Sequence, residues 1–213
     1  MIHLNGHALC AIDCETTGLD PERHEIVEVA FLPLDSNLKP RRDVPFFEII
    51  IRPDNLDEID WNAFKVNQSN FTELIAKGLD KYDAADLFVE WVSRLKLAYG
   101  KRIMPLAHNW AFDMQFIKKW LGPSTFHEHI DGRHRDTMTA CQFLNDIADR
   151  RAEQTPFAKV NLGYVATTMK IPHVRAHTAM GDCLVTAQVY NELVTRHGAQ
   201  FIVPKDQYIT SDL

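Results

Sequence analysis

The stretch CAIDCETTGLD, Cys10 to Asp20, sets two acids, Asp13 and Glu15, at the end of an apolar run. Side chains alternate across a strand, so these acids share one face while Ile12 and Cys14 take the other. Neighbouring carboxylates repel each other and resist burial. A chain that places them where a buried strand ends needs something positive to hold them there. Strand C-terminal ends in open α/β sheets are where ligand sites form. Taken alone, the pair also describes two solvated loop acids, so the rest of the chain has to decide.

Working outward, HALCAID is expected to be a buried strand and HEIVEVAFLPLD a second, with Ile26, Val27, Val29, Ala30 and Phe31 as its apolar body. PFFEIIIRP, rich in β-branched and aromatic residues, is a third. The intervening DSNLKPRRDV turn makes the three an antiparallel meander. WNAFKVNQSNFTELIAKG suggests short helices. DAADLFVEWVSRLKLAYG carries Leu87, Phe88, Trp91, Val92 and Leu95 at helical spacing, with Gly100 as the stop. RIMPLAHN is a fourth strand, and the helix WAFDMQFIKKWLG leaves its end. FHEHIDGRHRD is expected to be a polar loop, its three histidines at no common zinc spacing. GRHRDTMTACQFLNDIADRR predicts a short strand and a helix capped by Asp136. NLGYVATTMKI and HTAMGDCLVTAQVYNELVTRHG complete the helices. This order predicts an α/β fold, a mixed β-sheet with a three-stranded antiparallel meander and helices packed on it. No linker-like stretch interrupts it. A single domain over 1–213 is expected, with a motif-bearing core of about 8–197 and a short tail at 198–213.

The 213 residues are 46% hydrophobic and 24% charged, as in a globular protein with a sizeable core. The formal net charge of −6 argues against nonspecific duplex binding through a broad basic face. It leaves room for an enzyme that grips a few nucleotides through metal ions. IVEVAFLPL is too short to span a membrane and is broken by Glu28, and MIHLNGHAL lacks the features of a signal peptide. The expectation is a cytoplasmic protein without a membrane role. Cys10, Cys14, Cys141 and Cys183 form no CxxC pair and read as reduced, buried thiols.

Further acids recur where elements meet. Asp113, in LAHNWAFDMQF, lies on the first turn of the helix after the fourth strand. By itself it is an acid favoured by the helix dipole. In HTAMGDCLV, His177 precedes the last helix and Asp182 lies on its early turns. Residues five apart on a helix project about 140° apart, so one can ligate a metal while the other faces a water. Alone, His177 reads equally as a surface or capping histidine. Four converging carboxylates need cations, however, and hard oxygen ligands suit Mg²⁺ or Mn²⁺. Two such ions a few ångströms apart suit in-line displacement at phosphorus.

IDCETTG, HNWAFD and HTAMGD together resemble the three motifs of the DnaQ-like DEDDh 3′–5′ exonuclease superfamily, which has a ribonuclease H-like fold and includes proofreading exonucleases, RNase T and oligoribonuclease. RDTMTA and NLGYVATTMKIPHVRAHTA also resemble family segments, so the likeness runs from about Leu9 to about Val194. The resemblance implies that Asp13, Glu15, Asp113 and Asp182 bind two divalent ions, Mg²⁺ with Mn²⁺ as a substitute, Asp13 bridging them. It implies that His177 is the general base, which marks the histidine subgroup. Thr16, Thr17, Leu19, Asn109 and Phe112 would surround the terminal nucleotide. Thr178, Gly181, Cys183 and Trp110 depart from the usual pattern without removing a ligand.

The implied reaction is hydrolysis at the 3′ end of single-stranded nucleic acid, DNA ahead of RNA, releasing nucleoside 5′-monophosphates. Imidazole suits the base role because its ordinary pKa is about 6.5. Stacking platforms are expected beside a splayed strand, with Phe112, Trp110 and Phe116 as candidates. Phe116, four residues after Phe112, reads more as core. Trp110 stands evenly between site wall and core. Lys118, Lys119, Arg133, Arg135 and Arg175 flank the motifs and are candidates for phosphate contact. Proofreading or repair beside a polymerase or other replication protein, RNA processing and a homodimer all stay open. Two other readings remain: an inactive nucleic-acid-binding or polymerase-partner module on the same fold, and a phosphoesterase acting on small nucleotides.

Overall fold

The computed structural model describes residues 4–66 and 71–198. Five strands form one sheet: β1 (Ala8–Thr16), β2 (Ile26–Pro33), β3 (Phe47–Ile50), β4 (Ile103–Ala107) and β5 (Arg135–Asp136). Their order is β3-β2-β1-β4-β5. The first three strands pair antiparallel, as the turn sequences predict, while β4 joins β1 in parallel and β5 joins β4 in parallel. The helices are α1 (Trp61–Val66), α2 (Phe71–Lys77), α3 (Lys81–Arg94), α4 (Trp110–His129), α5 (Thr137–Arg150), α6 (Leu162–Met169) and α7 (Ala179–Gly198).

The alternation along β1 builds two cores. Ala8, Cys10, Ile12 and Cys14 pack with Phe88 and Trp91 of α3 and Phe116 and Ile117 of α4. Leu9 and Ala11 face the other way, against Met180, Cys183 and Ala187 of α7. Asp13 and Glu15 continue that second face, so they emerge on the α7 side of the sheet. A third cluster joins α5, α6 and α7 through Cys141, Val165 and Val189. All four cysteines are free and buried. Among the described residues, no helix is long and apolar enough to cross a membrane.

Three sequence expectations are corrected. The third helix, α3, stops at Arg94, six residues before Gly100, because the Leu95 amide closes on Val92 and Ser93 and Lys96 turns left-handed. Phe88, Trp91, Val92 and Leu95 are buried, but Leu87 sits off that stripe and is exposed. FHEHIDGRHRD is not all loop: α4 kinks at Gly122 (φ 74°) and resumes from Pro123 to His129. Proline is suited to a first helical turn, and Leu121 and Phe126 anchor the two halves in the core. Asp136 caps α5 as expected, its carboxylate accepting from Thr139 N. The tail after Gly198 lies outside the described residues.

Candidate active site

The acids meet where β1 ends. One ligand oxygen each from Asp13, Glu15 and Asp182 lies within 4.8 Å of the others. Asp13 and Glu15 arrive from β1, and Asp182 from the first turn of α7 beneath the same face. Asp113 comes from the first turn of α4, on the opposite face of the sheet. It is buried, and its carboxylate accepts a 3.0 Å hydrogen bond from Cys14 N, the residue between the two β1 acids. The C-terminal end of β1 is thus clasped from both faces.

Asp136 helps to set this geometry from a distance. Its carboxylate accepts from Trp110 N at 2.7 Å and Asn109 N at 3.3 Å, as well as from α5. Asn109 takes the left-handed conformation (φ 76°) at the entry to α4, a place where asparagine is better tolerated than most residues. One acid therefore joins two helix N-termini and orients the turn that carries Asp113.

The electrostatics are unfavourable without a cation. Burial first, then Asp182, Glu28 and Asp113, push the Glu15 carboxyl up to about 8. Burial raises Asp113 to about 7 against the lowering effect of the Cys14 hydrogen bonds. Asp13 is held well above the usual range by burial and then by Asp113, Asp182 and Glu15. Acids that are costly to ionise together, with oxygen the only donor in the cluster, fit hard divalent cations.

The histidine expected to act as base is arranged differently. His177 has a left-handed backbone (φ 61°), its amide donates to Asp182 Oδ1 at 3.2 Å, and its side chain is exposed. The imidazole that touches the cluster belongs to His173, whose Nε2 lies 2.6 Å from Asp182 Oδ1. Sequence reasoning missed His173, because its spacing matches no motif. It also missed Glu28, which lies directly opposite Glu15 on β2 and accepts from Ala179 N at the start of α7. The register needed to see that pairing is tertiary information.

The expected substrate residues divide. Leu19 is exposed (72%), Asn109 is exposed and Phe112 is half-buried against Phe116. Thr16 and Thr17 are buried: Thr16 Oγ1 donates to Gly18 O, and Thr17 Oγ1 accepts from Glu25 N. Their hydroxyls shape the turn. Trp110 is buried (2%), which resolves it as core, and Phe116 is core as expected. One further aromatic, Trp61, packs edge-on against Phe64 and Phe71 and was not singled out in the sequence. Trp61 is half-exposed (49%), and the preceding Asp60 amide donates to Thr17 O, which brings Trp61 beside the turn carrying Leu19. Among the basic candidates, Lys119 Nζ ties down the 21–24 loop through the carbonyls of Pro21, Glu22 and His24. Arg133 pairs with Asp131, whose amide donates to Ile103 O at the far end of β4. Arg133 is therefore removed from the site.

A family model described as "Exonuclease" (RNase_T) matches residues 10–190. The oligoribonuclease of Halorhodospira halophila is 31% identical over 141 residues, covering 65% of this chain and 73% of that protein. A probable oligoribonuclease of Caenorhabditis elegans is 35% identical over 116 residues, 52% of this chain and 57% of its own length. The crystal structure of E. coli exonuclease I in complex with a dT13 oligonucleotide superposes with a TM-score of 0.70 at 18% identity. That match covers 92% of this chain but 42% of exonuclease I, so this likeness is one of fold.

Proposed function

The chain belongs to the DnaQ-like DEDDh family of 3′–5′ exonucleases, and on that premise we propose that it removes nucleotides one at a time from the 3′ ends of short single strands. The observation that carries this is the convergence of Asp13, Glu15 and Asp182 within 4.8 Å, with Asp113, outside that trio, held by the amide of Cys14 between the two β1 acids. The oligoribonuclease relatives favour RNA as the first substrate to try, ahead of the DNA that the sequence reading put first. The five strands join in one sheet, and we read the chain as a single exonuclease domain. Buried free thiols suit a reducing compartment, and we place the enzyme in the cytoplasm.

Asp13, Glu15, Asp182 and Asp113 would hold two divalent ions, Mg²⁺ or Mn²⁺. When bound, these supply charge neutralisation for the scissile phosphate and a more acidic water. The protein's own residues do the rest. His177, exposed at the rim, turns inward to take the proton from the attacking water. Leu19 and Trp61 form apolar walls for the terminal bases, and stacking tolerates any base because every base presents a π-face. Asn109 and the half-buried Phe112 border the sugar. The inward-facing Glu28 carboxylate keeps the α7 N-terminus in place through Ala179 N.

The test is a 5′-labelled RNA and DNA strand of one sequence, incubated with Mg²⁺, Mn²⁺ or EDTA, beside Asp13→Ala. A metal-dependent ladder shortening from the 3′ end, lost in a folded Asp13→Ala, is the expected result. Ordinary activity in Asp13→Ala would refute the metal assignment.

A further inference from the structure

We infer that His173 is a positioning residue for the metal-binding carboxylate of Asp182, held in place by a strap that only glycine at position 181 permits. The inference rests on the assignment of Asp182 as a ligand. His173 and Asp182 are both largely shielded, with side-chain exposures of 15% and 14%. An ionised carboxylate only accepts hydrogen bonds, so the 2.6 Å contact is a donation from His173 Nε2–H to Oδ1. The His177 amide donates to the same oxygen at 3.2 Å. Two donors on Oδ1 fix the carboxylate's rotation and leave Oδ2 as the oxygen for an ion. His173 itself is not within ligand distance of the whole Asp13, Glu15 and Asp182 group. Its role is to orient a ligand.

The strap between α6 and α7 is built for this contact. It crosses the first turn of α7 so closely that a Cβ on Gly181 would run into the Arg175 carbonyl. Thr178 Oγ1 donates to that same carbonyl at 3.0 Å and accepts from Gly181 N at 3.2 Å. Arg175 reaches across to Glu48 at 3.4 Å, which ties the strap to β3. With Val174 almost fully exposed, no apolar anchor holds this segment at its middle. Beyond Ile171, which is buried against α6 and α7, polar contacts and the absent side chain at 181 set the course of the strap that carries His173.

Partners that orient a metal ligand typically contribute 10–100-fold in metal affinity. The experiment titrates Mn²⁺ alone into metal-free protein by calorimetry, with wild type, His173→Ala, His173→Gln, Gly181→Ala and Asp13→Ala compared. His173→Ala should weaken Mn²⁺ binding by roughly 10–100-fold. His173→Gln, whose amide nitrogen sits at a similar reach, should restore most of it. Gly181→Ala should show a similar loss, and adding His173→Ala to it should produce little more. In turnover assays, His173→Ala should raise the Mg²⁺ concentration for half-maximal rate and leave kcat at saturating Mg²⁺ nearly unchanged. Unchanged Mn²⁺ affinity in His173→Ala, with binding lost in Asp13→Ala, would overturn this inference and leave the site reading intact. Unchanged affinity in Asp13→Ala as well would overturn both. A Gln variant as weak as the Ala variant would overturn the hydrogen-bond account.

Discussion

The carboxylates of the site should make the metal-free protein less stable as the pH rises, and Glu15→Gln isolates that effect. Glu15 is buried (7% exposed) and its carboxyl is pushed from an ordinary 4.5 to about 8, by burial first and then by Asp182, Glu28 and Asp113. A carboxyl whose pKa is higher in the folded state holds its proton more tightly there. Its folded form is therefore fully tolerated below about 4.5, and stability drains away as the pH climbs toward about 8. From those two values the cost is under about 1 kcal/mol at pH 5 and on the order of 3 kcal/mol at pH 7. Glutamine imitates the protonated carboxyl and removes this slope. At about 2–4 °C per kcal/mol for a chain of this size, Glu15→Gln should melt about 6–12 °C above wild type near pH 7 in EDTA. The two should melt nearly together at pH 5. Adding Mn²⁺ at pH 7 should stabilise wild type and do little for the variant, because the ion replaces the proton that Glu15 otherwise keeps. Thermal melts by circular dichroism in EDTA, and again with Mn²⁺, read all of this. A wild-type melting temperature that rises from pH 5 to pH 7 in step with Glu15→Gln would refute the reasoning.

His177→Ala should lower kcat by roughly 10²–10⁴-fold while leaving Mn²⁺ affinity and the melting temperature close to wild type, since the side chain is exposed. Steady-state rates beside calorimetry check this. Trp61→Ala should raise KM for short single strands, at about 1–3 kcal/mol per stacked base, with a smaller change in kcat. Fluorescence anisotropy of a labelled oligonucleotide in Ca²⁺ provides the binding arm. Gly18→Ala would drive a Cβ into the His24 ring, which is buried over the turn, so a loss of about 1–3 kcal/mol is expected in urea melts. An unchanged midpoint would mean that the loop gives way freely.

The three-stranded meander, the βα unit carrying Asp113 and the helix carrying Asp182 were all legible in the chain. Each is a local pattern: alternation across β1 and β2, a helix leaving β4, a carboxylate cap at Asp136. The alternation Leu9, Ala11, Asp13, Glu15 predicts that the acids share a face, and they do. Where local signals compete, the outcome was less accessible. Gly100 looked like a helix stop, but α3 closed earlier at Leu95. Pro123 restarted a helix where the histidines suggested a loop. Trp110 and Trp61 are chemically alike, yet one is buried in the core and the other is half-exposed. Nothing in their immediate neighbours distinguishes them.

Sequence by itself determined which residues carry carboxylates, their order, and their placement at strand and helix ends, because these follow from periodicity and spacing. Tertiary structure alone decided which groups touch. Glu28 faces Glu15 only through the β1–β2 register. Asp113 reaches Cys14 N across 99 residues of chain. His173, and not the imidazole of His177, contacts Asp182, because a strap packs on the bare backbone of Gly181. Contacts between distant segments depend on how whole elements dock, and no short window of residues encodes that.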